Sequence, residues 1–231
     1  MSDASLYNLL SWMSPAWPVG AFAHSSGLEW AVEAGLVTGR ASTQAWIDNW
    51  IAHGGGWTDA ALFVFTYRAA ARGDRARVLE LAELALALQT TAERRIETTA
   101  QGGAFRRIGR AVAATPALDL LDGIEDEELP YPVASACLMA GHAAPIEWAL
   151  TAYLHALVAN LSSAAQRLVP LGQTDGQRVV AGLRERVAAA VGRALSLEEE
   201  ADPFEALGQA AVMADIASMA HETQYTRLFR T

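Results

Sequence analysis

Five histidines, one cysteine and no lysine set the chemistry open to this 231-residue chain. A helical metal site built on paired imidazoles needs two histidines four residues apart, one turn along a face. His24, His53, His142, His155 and His221 are never so spaced. His221-Glu222 begins like a zinc-protease helix, but Tyr225 stands where the second His belongs. There is no His-rich tract. Cys137 alone forms neither an internal disulfide nor a multi-cysteine cage. All 17 Lys-or-Arg positions are arginine, so Schiff-base chemistry and the phosphate-binding lysine of a P-loop are unavailable. No Gly-x-Ser-x-Gly elbow occurs. His24-Ser25-Ser26 are sequence neighbours, whereas triads are assembled in space. Asp122-Gly123-Ile124-Glu125-Asp126 comes nearest to the acidic Mg²⁺ motif of some helical enzymes, yet it lies in a loop and has no second cluster to match. Glu198-Glu199-Glu200 reads as a solvated charge run at a turn. The expectation is a protein without catalytic residues that binds no metal or cofactor directly.

The elements that must position these residues read as helices. A hydrophobic fraction of 52% against 19% charged residues argues for a folded core. A net charge of −9 is the wrong sign for a general nucleic-acid binder. No apolar run approaches a membrane span, and the Met1-Ser2-Asp3-Ala4 start does not resemble a secretion signal, so a cytoplasmic protein is expected. Leu6, Leu9, Leu10 and Met13 fall on one helical stripe. Ser26 to Glu29 has capping-box spacing, as does Thr90 to Glu93 before a helix reaching about Ala114. Trp46, Ile47, Trp50 and Ile51 share a face. Asp59 is placed to cap Ala60 to Ala71, with Gly73 as a stop, and Asp74 to cap a stripe of Val78, Leu81, Leu84 and Leu88. Pro145 suits the start of a long helix ended by Pro170. Thr174 or Asp175 begins another helix through Val191, and Asp202-Pro203 begins the last, through Ile216. Strand signals are nearly absent, and the acidic stretch Asp119 to Pro132 reads as an internal loop. The fold expected is a single-domain (1–231), all-α bundle of roughly eight to ten helices with a C-terminal tail at about 221–231.

Three segments are too rich in prolines, glycines and polar residues to be core alone. They are Ser14 to Glu29, with Trp17, Pro18, Gly20, Phe22, His24 and Glu29; Arg167 to Gln177, with Pro170, Gly172, Gln173 and Asp175; and His221 to Thr231, with Glu222, Tyr225, Arg227, Leu228 and Phe229. On pattern alone each reads as a tight connection or terminal turn. Tyr225, Leu228 and Phe229 recur at helical spacing, which predicts one apolar face on the tail. Trp17, flanked by prolines, reads as an interface residue, whereas Trp46 and Trp50 read as core. Arg106, Arg107 and Arg110 form a basic stripe expected to face solvent.

In this order and at these separations, the three segments resemble the UreF family of urease accessory proteins. The motifs are Pro-Val-Gly-Ala-Phe…His-Ser…Gly-Leu-Glu, Leu-Val-Pro-Leu-Gly-Gln-Thr-Asp-Gly-Gln-Arg and His-Glu-Thr-Gln-Tyr-x-Arg-Leu-Phe. The resemblance runs from about residue 6 to the end, resting between 60 and 145 on helical pattern more than motif. Trp17, Ser26 and Ala220 depart from the residues usual there. The resemblance implies an all-helical, dimerising chaperone that performs no catalysis. It implies binding to a UreD (UreH)-type accessory protein, recruitment of the GTPase UreG, and delivery of nickel to the urease apoprotein, with nickel and GTP handled by the partners. It also raises a regulator of GTP hydrolysis as an alternative. The partner-binding residues it points to are those named in the three segments, with Arg167 and Arg227 foremost.

Overall fold

The computed structural model describes residues 3–198 and 202–231; the first two residues and Glu199 and Glu200 of the acidic run lie outside the described residues. Every regular element among the described residues is helical. Helices α3 (Arg40–His53), α4 (Gly55–Ala71), α5 (Arg75–Ala87), α6 (Ala92–Val112), α7 (Tyr131–Gly141) and α8 (Ile146–Leu168) form the main bundle. The short α1 (Asp3–Trp12) and α2 (Leu28–Glu33) precede it, and α9 (Gln173–Gly182), α10 (Arg184–Leu195), α11 (Pro203–Ala206) and α12 (Val212–His221) follow. This is the all-α bundle that the helical periodicity predicts.

The centre is the pair α4 and α7, packed on each other. Every residue from Tyr131 to Ala140 is buried, as is every residue from Gly56 to Thr66. A helix apolar on all sides has no stripe, because it meets neighbours in every direction. For that reason α7 carries no periodic signal and the sequence reading passes over it. Asp59 is not a cap; α4 begins at Gly55, and the carboxyl sits inside the helix and inside the core. Asp74 does cap α5, accepting from Arg77 N–H. The expected capping box of Thr90 and Glu93 does not form: Thr91 caps α6, accepting from Arg94 N–H, and the Thr90 hydroxyl donates to Asp215 instead. The four-residue stripe on α1 is half right: Leu9, Trp12 and Met13 are buried, but Leu6 and Leu10 face outward with Tyr7. The helix through Val191 is broken at Leu183 into α9 and α10, and the last helix is broken after a single turn at Ala206.

Two close approaches fix the packing of α6 and α2. A Cβ on Gly102 would lie 2.0 Å from the Leu129 carbonyl oxygen, so only glycine lets α6 reach the start of α7. Gly27 has φ +80°, and a Cβ there would lie 2.7 Å from the Ser218 backbone nitrogen of α12. Both demands, left-handed backbone and contact with a neighbouring backbone, are ones that only glycine meets cheaply. The arginine stripe on α6 is not a free solvated face. Arg106 is buried and donates to Asp126 and to the Leu121 and Ile124 carbonyls, while Arg107 and Arg110 pair with Asp126 and Asp122. The stripe therefore pins the acidic loop that the sequence reading set apart from it.

Candidate functional site: three segments on one surface

The three punctuated segments, up to about 200 residues apart in sequence, meet around a small second core. Leu28, Ala31, Val37, Ala164, Ala165, Val169, Ala217 and Phe229 form it. The tail is the wedge. Phe229 is buried and Thr231 is sealed in, with its side chain hydrogen-bonded to His24 Nδ1 at 2.7 Å. Burial pushes His24 below the usual imidazole pKa, favouring the neutral ring beside that hydroxyl. The Arg230 N–H donates to the Ala23 carbonyl, and the Ser25 N–H to the Thr231 carbonyl. The tail thus lies alongside the entry segment through backbone bonds, and it is not a helix. Tyr225 and Leu228 point to solvent while Phe229 points inward, so the expected shared apolar face does not exist.

Glu29 holds the tail from below. Its carboxylate accepts from Leu228 N–H at 2.6 Å and Phe229 N–H at 2.9 Å, and faces His221 Nε2 at 3.0 Å. Glu93, from α6, faces His221 Nδ1 at 2.7 Å and accepts from Arg227 at 3.1 Å. Burial raises the Glu93 pKa, and His221 and Arg227 partly offset that. Ser26 makes no capping box. At φ +52° it turns its hydroxyl toward Arg94 and Glu97. Glu222 accepts from the Ala92 N–H at the start of α6.

Arg167 joins the other two segments. It donates to the Phe22 carbonyl at 2.8 Å and lies over the Phe229 ring at 4.1 Å, a cation–π distance. Phe22 itself is 71% exposed, Leu228 62% and Tyr225 fully so, giving the joined surface three projecting apolar side chains. The later part of the second segment turns elsewhere. Gly172 and Gln173 open α9, and Asp175 pairs with Arg178 and Arg40. Pro18, Gly20 and Pro170 shape the backbone, Gly20 at φ +76°. Trp17 packs its ring 5.9 Å from Phe105 and leans on the main core instead of projecting.

Sequence reasoning missed the buried polar cluster under this surface. Arg94 pairs with Glu97 at 2.7 Å, Tyr153 donates to Asp59 at 3.0 Å, and Arg94 lies over Trp50. Burial pushes the Asp59 carboxyl up to about 6, outweighing the opposing pull of Arg94 and the Tyr153 hydroxyl. A signal was available in Glu93, Glu97 and Gln101, a polar stripe at helical spacing on α6 that faces inward. Among the described residues, no group of three or more His, Cys, Asp or Glu is placed to hold a metal ion, and no helix is long and apolar enough to cross a membrane.

Fold and site together define a class: an all-α protein whose sequence motifs are gathered at a surface and its buried supports. The UreF family model matches residues 37–184. Urease accessory protein UreF of Rhodopseudomonas palustris strain TIE-1 is 48% identical over 229 residues, covering 99% of this chain and 93% of the relative. The protein of the same name from strain HaA2 is 50% identical over 230 residues, covering 99% and 94%. That of Bradyrhizobium diazoefficiens is 47% identical over 228 residues, covering 99% and 92%. The chain belongs to the UreF family of urease accessory proteins. The first and third motif segments lie outside the matched family model, and the pairwise likenesses extend across them.

Proposed function

We propose that this chain is a non-enzymatic scaffold in urease maturation. It binds a UreD (UreH)-type accessory protein, and that complex recruits the GTPase UreG for GTP-dependent nickel insertion into apo-urease in the cytoplasm. The observation that carries this reading is the convergence of the three motif segments on one surface with Phe22, Tyr225 and Leu228 projecting from it. Holding partners on one platform raises their effective concentration without any chemistry by the platform itself. Nickel and GTP belong to the partners in this scheme. A homodimer is part of the reading, and the exposed side chains Leu6, Tyr7 and Leu10 of α1 and Val212, Met213, Ile216 and Met219 of α12 are apolar surface available to a second copy.

The test is co-purification with tagged protein, together with urease activation in cells. Phe22→Ala removes an exposed ring and is expected to change stability by no more than about 0.5 kcal/mol. Arg167→Ala loses hydrogen bonds to the Phe22 and Ser163 carbonyls and one ring contact, about 1–2 kcal/mol, or a few degrees in melting temperature. Both are expected to weaken capture of the UreD-type protein and to lower urease activation. Normal capture and activation by both variants would reduce these segments to structural turns.

A further inference from the structure

We propose that the groove between the entry segment and α6 is a docking channel for an extended segment of a partner that carries carboxylates beside an apolar side chain. The inference rests on reading the chain as a partner-binding scaffold and specifies what that partner presents. The groove encloses about 640 Å³ and is floored by Ala100 and Ala104 of α6, small residues that let a backbone approach closely. Phe22 and Ile96 stand at its wall, 71% and 42% exposed.

Charge gives the channel a direction. Arg95 and Arg230 line it, both exposed, and among the described residues neither guanidinium has a hydrogen bond or an ion pair. Two uncommitted cations are notable on a chain of net charge −9. Arg107 also lines the groove but is committed to Asp126, and Glu127 adds a negative charge. The guanidiniums of Arg95 and Arg230 therefore attract carboxylates, and the apolar residue of the segment packs on Phe22 and Ile96. A phosphate or nucleotide would engage the two arginines while leaving those apolar side chains without a partner. Rim charges of this kind govern association rate and salt dependence more than final affinity.

Photo-crosslinking from position 96, with an unnatural benzophenone side chain replacing Ile96, tests the assignment on the full chain in its co-purified complex. The expected product is a partner peptide with at least two Asp or Glu residues close to an aromatic or aliphatic one. The double variant Arg95→Glu/Arg230→Glu is expected to lower the crosslink yield roughly tenfold at moderate ionic strength, where unscreened rim pairs still act. Its circular dichroism and melting temperature are expected to be little changed, since neither side chain has a partner to lose. A crosslink to an uncharged or basic segment, to a second copy of this chain, or one insensitive to the double variant overturns the proposal. So does a yield abolished by millimolar inorganic phosphate. Absence of a crosslink with Arg95 and Arg230 intact, while the partner still co-purifies, defeats the channel alone; absence of any co-purifying partner with the unaltered chain defeats the scaffold reading as well.

Discussion

Glu29→Ala is expected to lower the stability of the isolated protein by about 3–5 kcal/mol, because a single buried carboxylate serves several buried partners at once. The carboxylate serves the Leu228 and Phe229 N–H groups and faces His221, and all of these lose a buried acceptor together. An orphaned buried donor carries its full desolvation cost, about 1–3 kcal/mol each, so the tail would detach before the protein accepted all of it. Detachment in turn exposes Phe229, which is 3% exposed in the fold. For a chain of this size the melting temperature is expected to fall by roughly 10 °C, at about 2–4 °C per kcal/mol. Deleting Thr223 to Thr231 is expected to act in the same direction. A thermal melt checks both, and an unchanged midpoint would mean that the tail is not part of the chain's own core.

The second large effect lies in the cluster beneath the surface. Arg94→Met leaves Glu97 buried without its cation and Asp59 without its nearby positive charge, and is expected to cost about 3–5 kcal/mol. Asp59→Asn is expected to act oppositely at neutral pH. The Asp59 pKa is about 6 in the fold against 3.8 for the free group, so the folded state holds its proton more tightly than the unfolded chain. Stability from this group is therefore greatest below pH 3.8 and is lost as pH rises toward 6. The loss amounts to about 3 kcal/mol above that window, at about 1.4 kcal/mol per unit. Asparagine keeps an acceptor for the Tyr153 hydroxyl and has no charge to desolvate. Urea denaturation is expected to show the variant more stable than the parent at pH 7 and equal to it near pH 4. A constant difference across that range would place the ionisation of Asp59 outside the stability balance.

What the sequence discloses follows from how each element is buried. Amphipathic helices such as α3 and α5 have one apolar face, and their stripes and the Asp74 cap are legible residue by residue, whereas the α6 cap falls one residue past the expected Thr90. Helix α7 is enclosed on all sides and offers no period, so its burial is visible only in the fold. Asp59 looks like a cap because Asp before an apolar run usually is one, and only tertiary packing reveals that the helix starts five residues earlier, at Gly55 instead of Ala60. The tail misleads for a related reason. Tyr225, Leu228 and Phe229 have helical spacing, but backbone bonds to the entry segment and the Glu29 carboxylate hold the chain in an irregular, bent path. The three motif segments are legible as unusual from composition alone. That they share one surface is not, because Arg167, Glu29 and His221 make contacts across more than 140 residues of sequence.

Amide hydrogen exchange on the isolated protein, then on its complex with a UreD-type protein, shows whether the three segments form one partner surface built on an ordered tail. The Ser25, Leu228, Phe229 and Arg230 amides are expected to be already slow in the isolated protein, since each donates within the fold. Complex formation is expected to add protection around Phe22, Arg167 and Tyr225 together, because one surface carries all three segments. Fast exchange of the tail amides in the isolated protein, or new protection confined to the α9–α10 side, would contradict this arrangement.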